Sequence, residues 1–336
     1  MSTVYDLDAS PDIERDGTCF AACDCGLFRS EDGGRTWHDA LASLHLDTPL
    51  PTTAVVVSPD FPGDRRVFAG VPGAVLRSGD GGETWEAAPL PSPPPHITSL
   101  AVSPAFERDG VLLAATLEDG VFRSADRGCG WAAWNFGLLD LHTLALAVSP
   151  GFERDETLYA GTESGIFRST NGGRAWRETG FPSQCAPVIS FSLSPGFPED
   201  GVLFAGTESC GLWYSGDRGR SWTRLGEEML DGPVNTVLLS PRFPVDPALL
   251  VVLSRELLVS RDGGRSWSRR VTGLRTEQGV VCAAAPSGLE PGAPLLVGLA
   301  EEGARRIDGG GSGCSGGAGA AGSRNLSWTG RNTCTP

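Results

Sequence analysis

Short apolar runs alternate with clusters of turn-forming residues along nearly the whole chain. Runs such as AVVV (54–57), TLYAGT (157–162) and GIFRS (165–169) are separated by Gly, Pro, Asp and Ser. This is the pattern of strands and turns. No run has the length or the 3.6-residue period of a helix. The alternation is clearest ahead of a recurring SP element: SPDIERD (from Ser10), SPDFPGD (Ser58), SPAFERD (Ser103), SPGFERD (Ser149), SPGFPED (Ser194) and SPRFPVD (Ser240). Three residues before each serine sit Leu7, Val55, Leu100, Leu146, Phe191 and Val237. Four before sit Asp6, Ala54, Ser99, Ala145, Ser190 and Thr236. Period-2 alternation predicts a strand with a bulky side for packing between units and a small or polar side lining a narrow channel. Tyr5, five before Ser10, is predicted to turn toward the packing side.

A second phrase follows each SP element. It reads SEDGGRTW (Ser30–Trp37), SGDGGETW (Ser78–Trp85), SADRGCGW (Ser124–Trp131), STNGGRAW (Ser169–Trp176), SGDRGRSW (Ser215–Trp222) and SRDGGRSW (Ser260–Trp267). The spacing is about 46 residues, so one unit holds four short strands. Four strands repeated at that period predict an all-β fold, a β-propeller of four-stranded antiparallel blades. The Asp or Asn of the phrase falls at 32, 80, 126, 171, 217 and 262, and a further step of 46 reaches Asp308. That makes seven blades, at approximately 3–49, 50–94, 95–140, 141–185, 186–231, 232–277 and 278–330 in one domain. In the seventh, a Gly/Ser-rich insertion (309–323), expected to be flexible, separates Asp308 from Trp328, which is read as the missing Trp.

The pattern S-x-D-x-G-x-x-W resembles the Asp-box, or BNR repeat, over residues 3–308. It is similar to sortilin-type receptors, xyloglucanase-type glycosidases, sialidases and the seven-bladed photosystem II assembly factors. The resemblance implies a hairpin between the third and fourth strands and names no reaction, because those families share the box and not a function. Asp32, Asp80, Asp126, Asn171, Asp217, Asp262, Trp37, Trp85, Trp131, Trp176, Trp222 and Trp267 are therefore assigned to structure. Alternating D-x-D-x-D calcium ligands are absent, and Asn171 shows that the charge is dispensable. Arg29, Arg77, Arg123 and Arg168, on the strand before each box, are expected to pair with loop acids between blades.

Composition narrows the partners. The 336 residues carry a net charge of −14, which argues against nucleic acid. All 27 basic residues are arginine, so lysine-dependent chemistry is excluded. No stretch could span a membrane, and a monomer is expected. The first residues show no basic or apolar leader, so the expectation is a cytoplasmic protein, or a secreted or periplasmic one if a leader was removed. Nine cysteines at irregular spacing do not read as a disulfide framework.

Box hairpins and SP loops belong to one face. The turns between second and third strands and the connections between blades belong to the other, at the channel mouth, where residues vary from copy to copy. Asp24, Glu118, Asp119, Glu163, Glu208, Glu256, Glu301 and Glu302 make those turns acidic. His96 and His142 occupy equivalent positions in neighbouring connections. Cys23, Cys25, Cys185 and Cys210 fall on the same face, while Asp6 and Asp8 enter the channel. Three chemistries are open: a divalent metal on His96, His142 and Glu163 (or Glu118 or Asp119); carboxylate acid/base hydrolysis; and a thiol nucleophile, Cys185 or Cys210, aided by His142. Each competes with ordinary solvated loop residues. Sialidase chemistry fits poorly, since no F/Y-R-I-P element occurs and Tyr5, Tyr159 and Tyr214 sit in strands. The primary expectation is a non-catalytic scaffold presenting an acidic face to a protein, peptide, cation or small molecule. The alternative is a hydrolase, glycosidic or metal-dependent, over the channel mouth.

Overall fold

The computed structural model describes residues 2–91, 93–270, 274 and 279–308. Seven antiparallel sheets follow one another, each with its strands in sequence order. Their inner strands are Val4–Ala9, Ala54–Val57, Ile97–Val102, Thr143–Val148, Val188–Leu193, Val234–Leu239 and Val280–Ala284. Each inner strand packs beside that of the next blade, and the seventh packs beside the first, so the sheets close into a ring. Six sheets have four strands. The seventh has three among the described residues, Val280–Ala284, Leu295–Leu299 and Gly303–Ile307. The fourth strand expected around Trp328, and the insertion at 309–323, lie outside the described residues.

The second strand of every blade is buried along its whole length. Neighbouring blades cover both of its faces, which is why CFAAC, VFAGV and LLVVL read as continuous apolar runs. The core is accordingly divided into seven clusters, one at each blade interface. Ring closure buries Val4 and Leu7 against Cys282, Leu296 and Ala304. The Ser2 amide donates to the Glu301 carbonyl at 3.3 Å, and the Gly303 amide donates to the Ser2 carbonyl at 3.1 Å.

The SP element is more ordered than a loop. In five blades it forms a single helical turn, such as Ile13–Asp16 and Phe106–Asp109. The serine hydroxyl donates to the aspartate six residues on, at 2.5 to 2.7 Å in six blades. Its phenylalanine crosses to an aromatic ring of the preceding blade, as in Phe20–Phe61, Phe68–Phe106, Tyr159–Phe197 and Phe204–Phe243, with centroids 5.5 to 6.4 Å apart. At the closure seam the corresponding residues are the smaller Leu296 and Ile13. A cavity of about 470 Å³ opens there, on the box face, lined also by Arg15, Arg35 and Arg306.

The boxes are structural. Each serine hydroxyl donates to the box Asp or Asn at 2.7 to 2.9 Å and accepts the amide of the following glycine. The Ser221 hydroxyl and amide hold Asp217 down to about 2, and Ser266 does the same for Asp262. At Asp32 and Asp80 burial pulls upward, but the Thr36 and Thr84 hydroxyls and amides outweigh it and both sit at about 2.

Two expectations are corrected. A β-bulge interrupts six of the seven inner strands at the position of Tyr5, Thr98, Leu144, Ile189, Asn235 and Val281. The extra residue breaks the simple alternation, so Tyr5 is exposed rather than packed. Of the four strand arginines, Arg29 bridges Glu31 and Glu83 of the next blade as expected. Arg77 meets Glu86 of its own blade and Cys129. Arg123 stacks over Trp134 at 4.4 Å, and Arg168 lies over Tyr159 at 5.9 Å.

Candidate functional site

Antiparallel order sends the first six inner strands toward their SP loops, and the seventh toward the equivalent loop 285–294. The turns between second and third strands, and the connections between blades, therefore share the opposite end. At blades 3 and 4 they are knitted into one piece by the connection Trp134–His142. The Asn135 amide group donates to the Asp119 carbonyl at 2.8 Å, while its oxygen accepts the Val121 amide at 2.8 Å. The Gly120 amide donates to the Leu141 carbonyl at 2.9 Å. On the other side the Ser164 amide donates to Asp140 at 2.8 Å, and the Glu163 amide donates to the His142 carbonyl at 3.3 Å. The Leu117 amide donates to the His96 carbonyl at 2.9 Å, which extends the same rim by one connection.

Five of the candidate residues, His96, Glu118, Asp119, His142 and Glu163, thus line one stretch of rim. No ion pair engages Glu118, Asp119, Glu163 or Glu208 among the described residues, whereas Glu256 pairs with Arg269 and Glu302 with Arg305. The His142 ring meets Asp140, 3.2 Å from Nδ1. Burial raises Asp140, but the Ser164 hydroxyl, the His142 amide and other donors outweigh it and hold its carboxyl below the usual range. Asp140 escaped the sequence reading, although its D-x-H spacing is visible there. No group of three or more His, Cys, Asp or Glu side chains able to hold a metal occurs among the described residues.

Cys185 and Cys210 come together at the blade 4–5 rim. Burial and the neighbouring Cys210 thiol push Cys185 up to about 11, the reverse of what an activated nucleophile needs. The Cys210 thiol lies 3.9 Å from the Gln184 carbonyl, and Glu208 is exposed beside it. Tyr159 is buried, its hydroxyl donating to the Arg218 carbonyl at 2.8 Å.

Asp6 and Asp8 join the first two blades. Asp6 accepts the Leu7 amide at 2.9 Å and the Val55 amide at 3.0 Å; Asp8 accepts the Ala9 and Val57 amides, each at 2.8 Å. Inner strands are sheet edges, and these carboxylates satisfy amides that no strand pairs. Burial pushes Asp6 up to about 6 and Asp8 to about 7, against those amides. Elsewhere the same junction is neutral: Thr53, Thr98, Ser190 and Asn235 donate to carbonyls of the next blade at 2.6 to 2.8 Å.

Seven closed sheets and six hydrogen-bonded boxes decide the architecture. The chain is a seven-bladed Asp-box β-propeller. The propeller matches no family model, and no curated protein sequence resembles it at a significant level. Its structural neighbours include YCF48 bound to D1 peptide (TM-score 0.67, 18% identity, 91% of this chain and 93% of that one). They also include the GH74 enzyme of Niastella koreensis (0.72, 16%, 93% and 53%) and the GH74 xyloglucanase of Xanthomonas campestris (0.65, 19%, 89% and 51%). The propeller spans about half the length of those two enzymes. At such identities the likeness is one of fold. No helix among the described residues is long and apolar enough to cross a membrane.

Proposed function

We propose that this propeller is a non-catalytic binding or assembly scaffold, acting as a monomer, whose acidic channel-mouth face engages a cationic protein or peptide segment. One observation carries the reading: Glu118 and Glu163 are exposed, Asp119 is half-buried beside Glu118, no ion pair engages any of the three among the described residues, and their turns are anchored to the same pinned connection. Fixed like charges on a rigid rim attract a cation without needing rearrangement. The structural neighbour YCF48 holds a peptide on the same fold, which agrees with this use. The test is retention of the protein by an arginine-rich peptide column. Glu118→Gln, Asp119→Asn and Glu163→Gln together should advance elution to lower salt, and unchanged elution would contradict the reading.

A hydrolase is the second reading. It draws on Asp6 and Asp8, whose carboxyls at about 6 and about 7 suit a general acid, and on the structural neighbour that is a GH74 xyloglucanase. Against it, every oxygen of the two side chains already accepts a backbone amide. Reducing-sugar release from xyloglucan, lost in Asp8→Asn, would revive it.

A further inference from the structure

Each of the first five blade connections covers the outer end of an interface. Each does so with one large buried aliphatic or aromatic residue: Leu41, Leu90, Leu138, Phe181 and Leu230. The third connection, W-N-F-G-L-L-D-L-H, carries more than it needs. Leu138 is its buried anchor, and Phe136, Leu139 and Leu141 remain 80%, 81% and 37% exposed. These side chains bury little that would stabilise the fold. Isolated exposed leucines are ordinary, but three large apolar groups within six residues form a patch.

The backbone beneath them is fixed. The Trp176 amide donates to the Phe136 carbonyl at 2.8 Å, and the Trp176 ring NH donates to the Trp134 carbonyl at 2.7 Å. Gly137 has φ +80°, and a Cβ there would stand 2.3 Å from the Trp176 carbonyl oxygen, so only glycine permits this approach. Trp134 is flanked by Arg123 at 4.4 Å and Arg174 at 5.6 Å. A fixed backbone spares these side chains the cost of ordering their loop on binding, which favours them as anchors.

The surroundings select the occupant. The patch lies between the Glu118–Asp119 turn, tied to it through Asn135 and Leu141, and the Glu163 turn, tied to it through Asp140 and His142. Arg174 is engaged by Glu156 at 3.1 Å. An anionic lipid surface would be repelled by these carboxylates. A second copy of the chain, with a net charge of −14, would meet like charge at the same rim.

We infer that Phe136, Leu139 and Leu141 are the apolar anchor of a docking surface for a peptide segment with leucine or phenylalanine at its centre and arginine or lysine on its flanks. The inference rests on the scaffold reading above and adds to it where contact is made and what the partner must carry. Apolar contact supplies affinity, and the flanking charges supply orientation against the two acidic turns.

The probe is a fluorescein-labelled synthetic peptide with a Leu/Phe centre flanked by arginines, titrated with the full chain and followed by anisotropy. Binding by the wild type is expected. Phe136→Ser with Leu139→Ser should weaken it by about tenfold or more, with no change in melting temperature because both residues are exposed. Phe136→Tyr should retain binding, and a glutamate-flanked version of the peptide should not bind. If the double serine variant binds as tightly as the wild type while Glu118→Gln/Asp119→Asn/Glu163→Gln does not, the apolar anchor is refuted and the scaffold reading stands. If the arginine-flanked peptide does not bind at all, both are refuted. Preferential binding to phosphatidylserine vesicles, or wild-type self-association in sedimentation velocity that the double serine variant abolishes, would also overturn the inference.

Discussion

Asp6 and Asp8 differ from the box aspartates although all accept backbone amides. Hydroxyl and amide donors hold Asp217 and Asp262 near 2, while burial lifts Asp6 and Asp8 to about 6 and about 7. The two groups act oppositely on stability. Raised carboxyls bind protons more readily folded than unfolded. Their contribution is therefore fully present below about pH 4 and is lost as pH rises through about 6 to 7. Lowered carboxyls contribute above the unfolded value, and that contribution is lost as pH falls toward 2. Urea unfolding of the wild type and Asp8→Asn should thus show the wild type losing stability relative to the variant between about pH 4 and pH 8. A constant difference would contradict the raised Asp8. The box in blade 4 gives a second residue-scale outcome. Asn171 keeps the Ser169 bond at 2.9 Å and accepts the Ala175 amide at 2.9 Å, but Ala175 offers no hydroxyl. Asn171→Asp alone should change the melting temperature little. Asn171→Asp with Ala175→Ser restores the Asp–hydroxyl pair seen at Asp32, Asp80, Asp217 and Asp262 and should raise it, a non-additive gain readable by calorimetry.

At the scale of elements, repetition made the strands legible and local deviation hid the rest. The SP and box phrases recur at a fixed period, so strand order, hairpins and blade count could be counted from the sequence. The bulge opposite Tyr5 left no pattern, because Tyr5, Thr98, Leu144, Ile189, Asn235 and Val281 share no chemistry. The extra residue is tolerated at a sheet edge whatever its side chain. The helical turn at SP-x-F-x-x-D is too short for any period to reveal. Part of the candidate rim was readable: the acidic turns and the two histidines stand at equivalent repeat positions. Asp140 and Asn135 were not, since their role lies in bonds to neighbouring turns rather than in a motif. The box tryptophans make the energetics of an element testable. Trp85 is buried at the blade 1–2 interface and its ring NH donates to the Ala40 carbonyl at 2.8 Å. Trp85→Ala should cost roughly 3–5 kcal/mol in denaturant unfolding. A loss under about 1 kcal/mol would mean that the box hairpin contributes little to the interface.

For the whole molecule, closure into a ring separates two faces with different tasks. On the box face the same motif recurs in six blades, its Ser and Asp or Asn groups consumed by bonds within each hairpin. The opposite rim is irregular and acidic, with carboxylates on blades 3 and 4 that no ion pair engages among the described residues. Long-range attraction to a cationic partner should therefore depend on ionic strength, while apolar contact at Phe136 and Leu139 should not. Hydrogen–deuterium exchange of the full chain, with and without the arginine-flanked Leu/Phe peptide, tests the central claim most directly. Protection concentrated at residues 117–120, 134–142 and 163–165 is the expected result. Protection at the box hairpins, or at the closure-seam cavity around Arg15, Arg35 and Arg306, with the blade 3–4 rim unchanged, would contradict it.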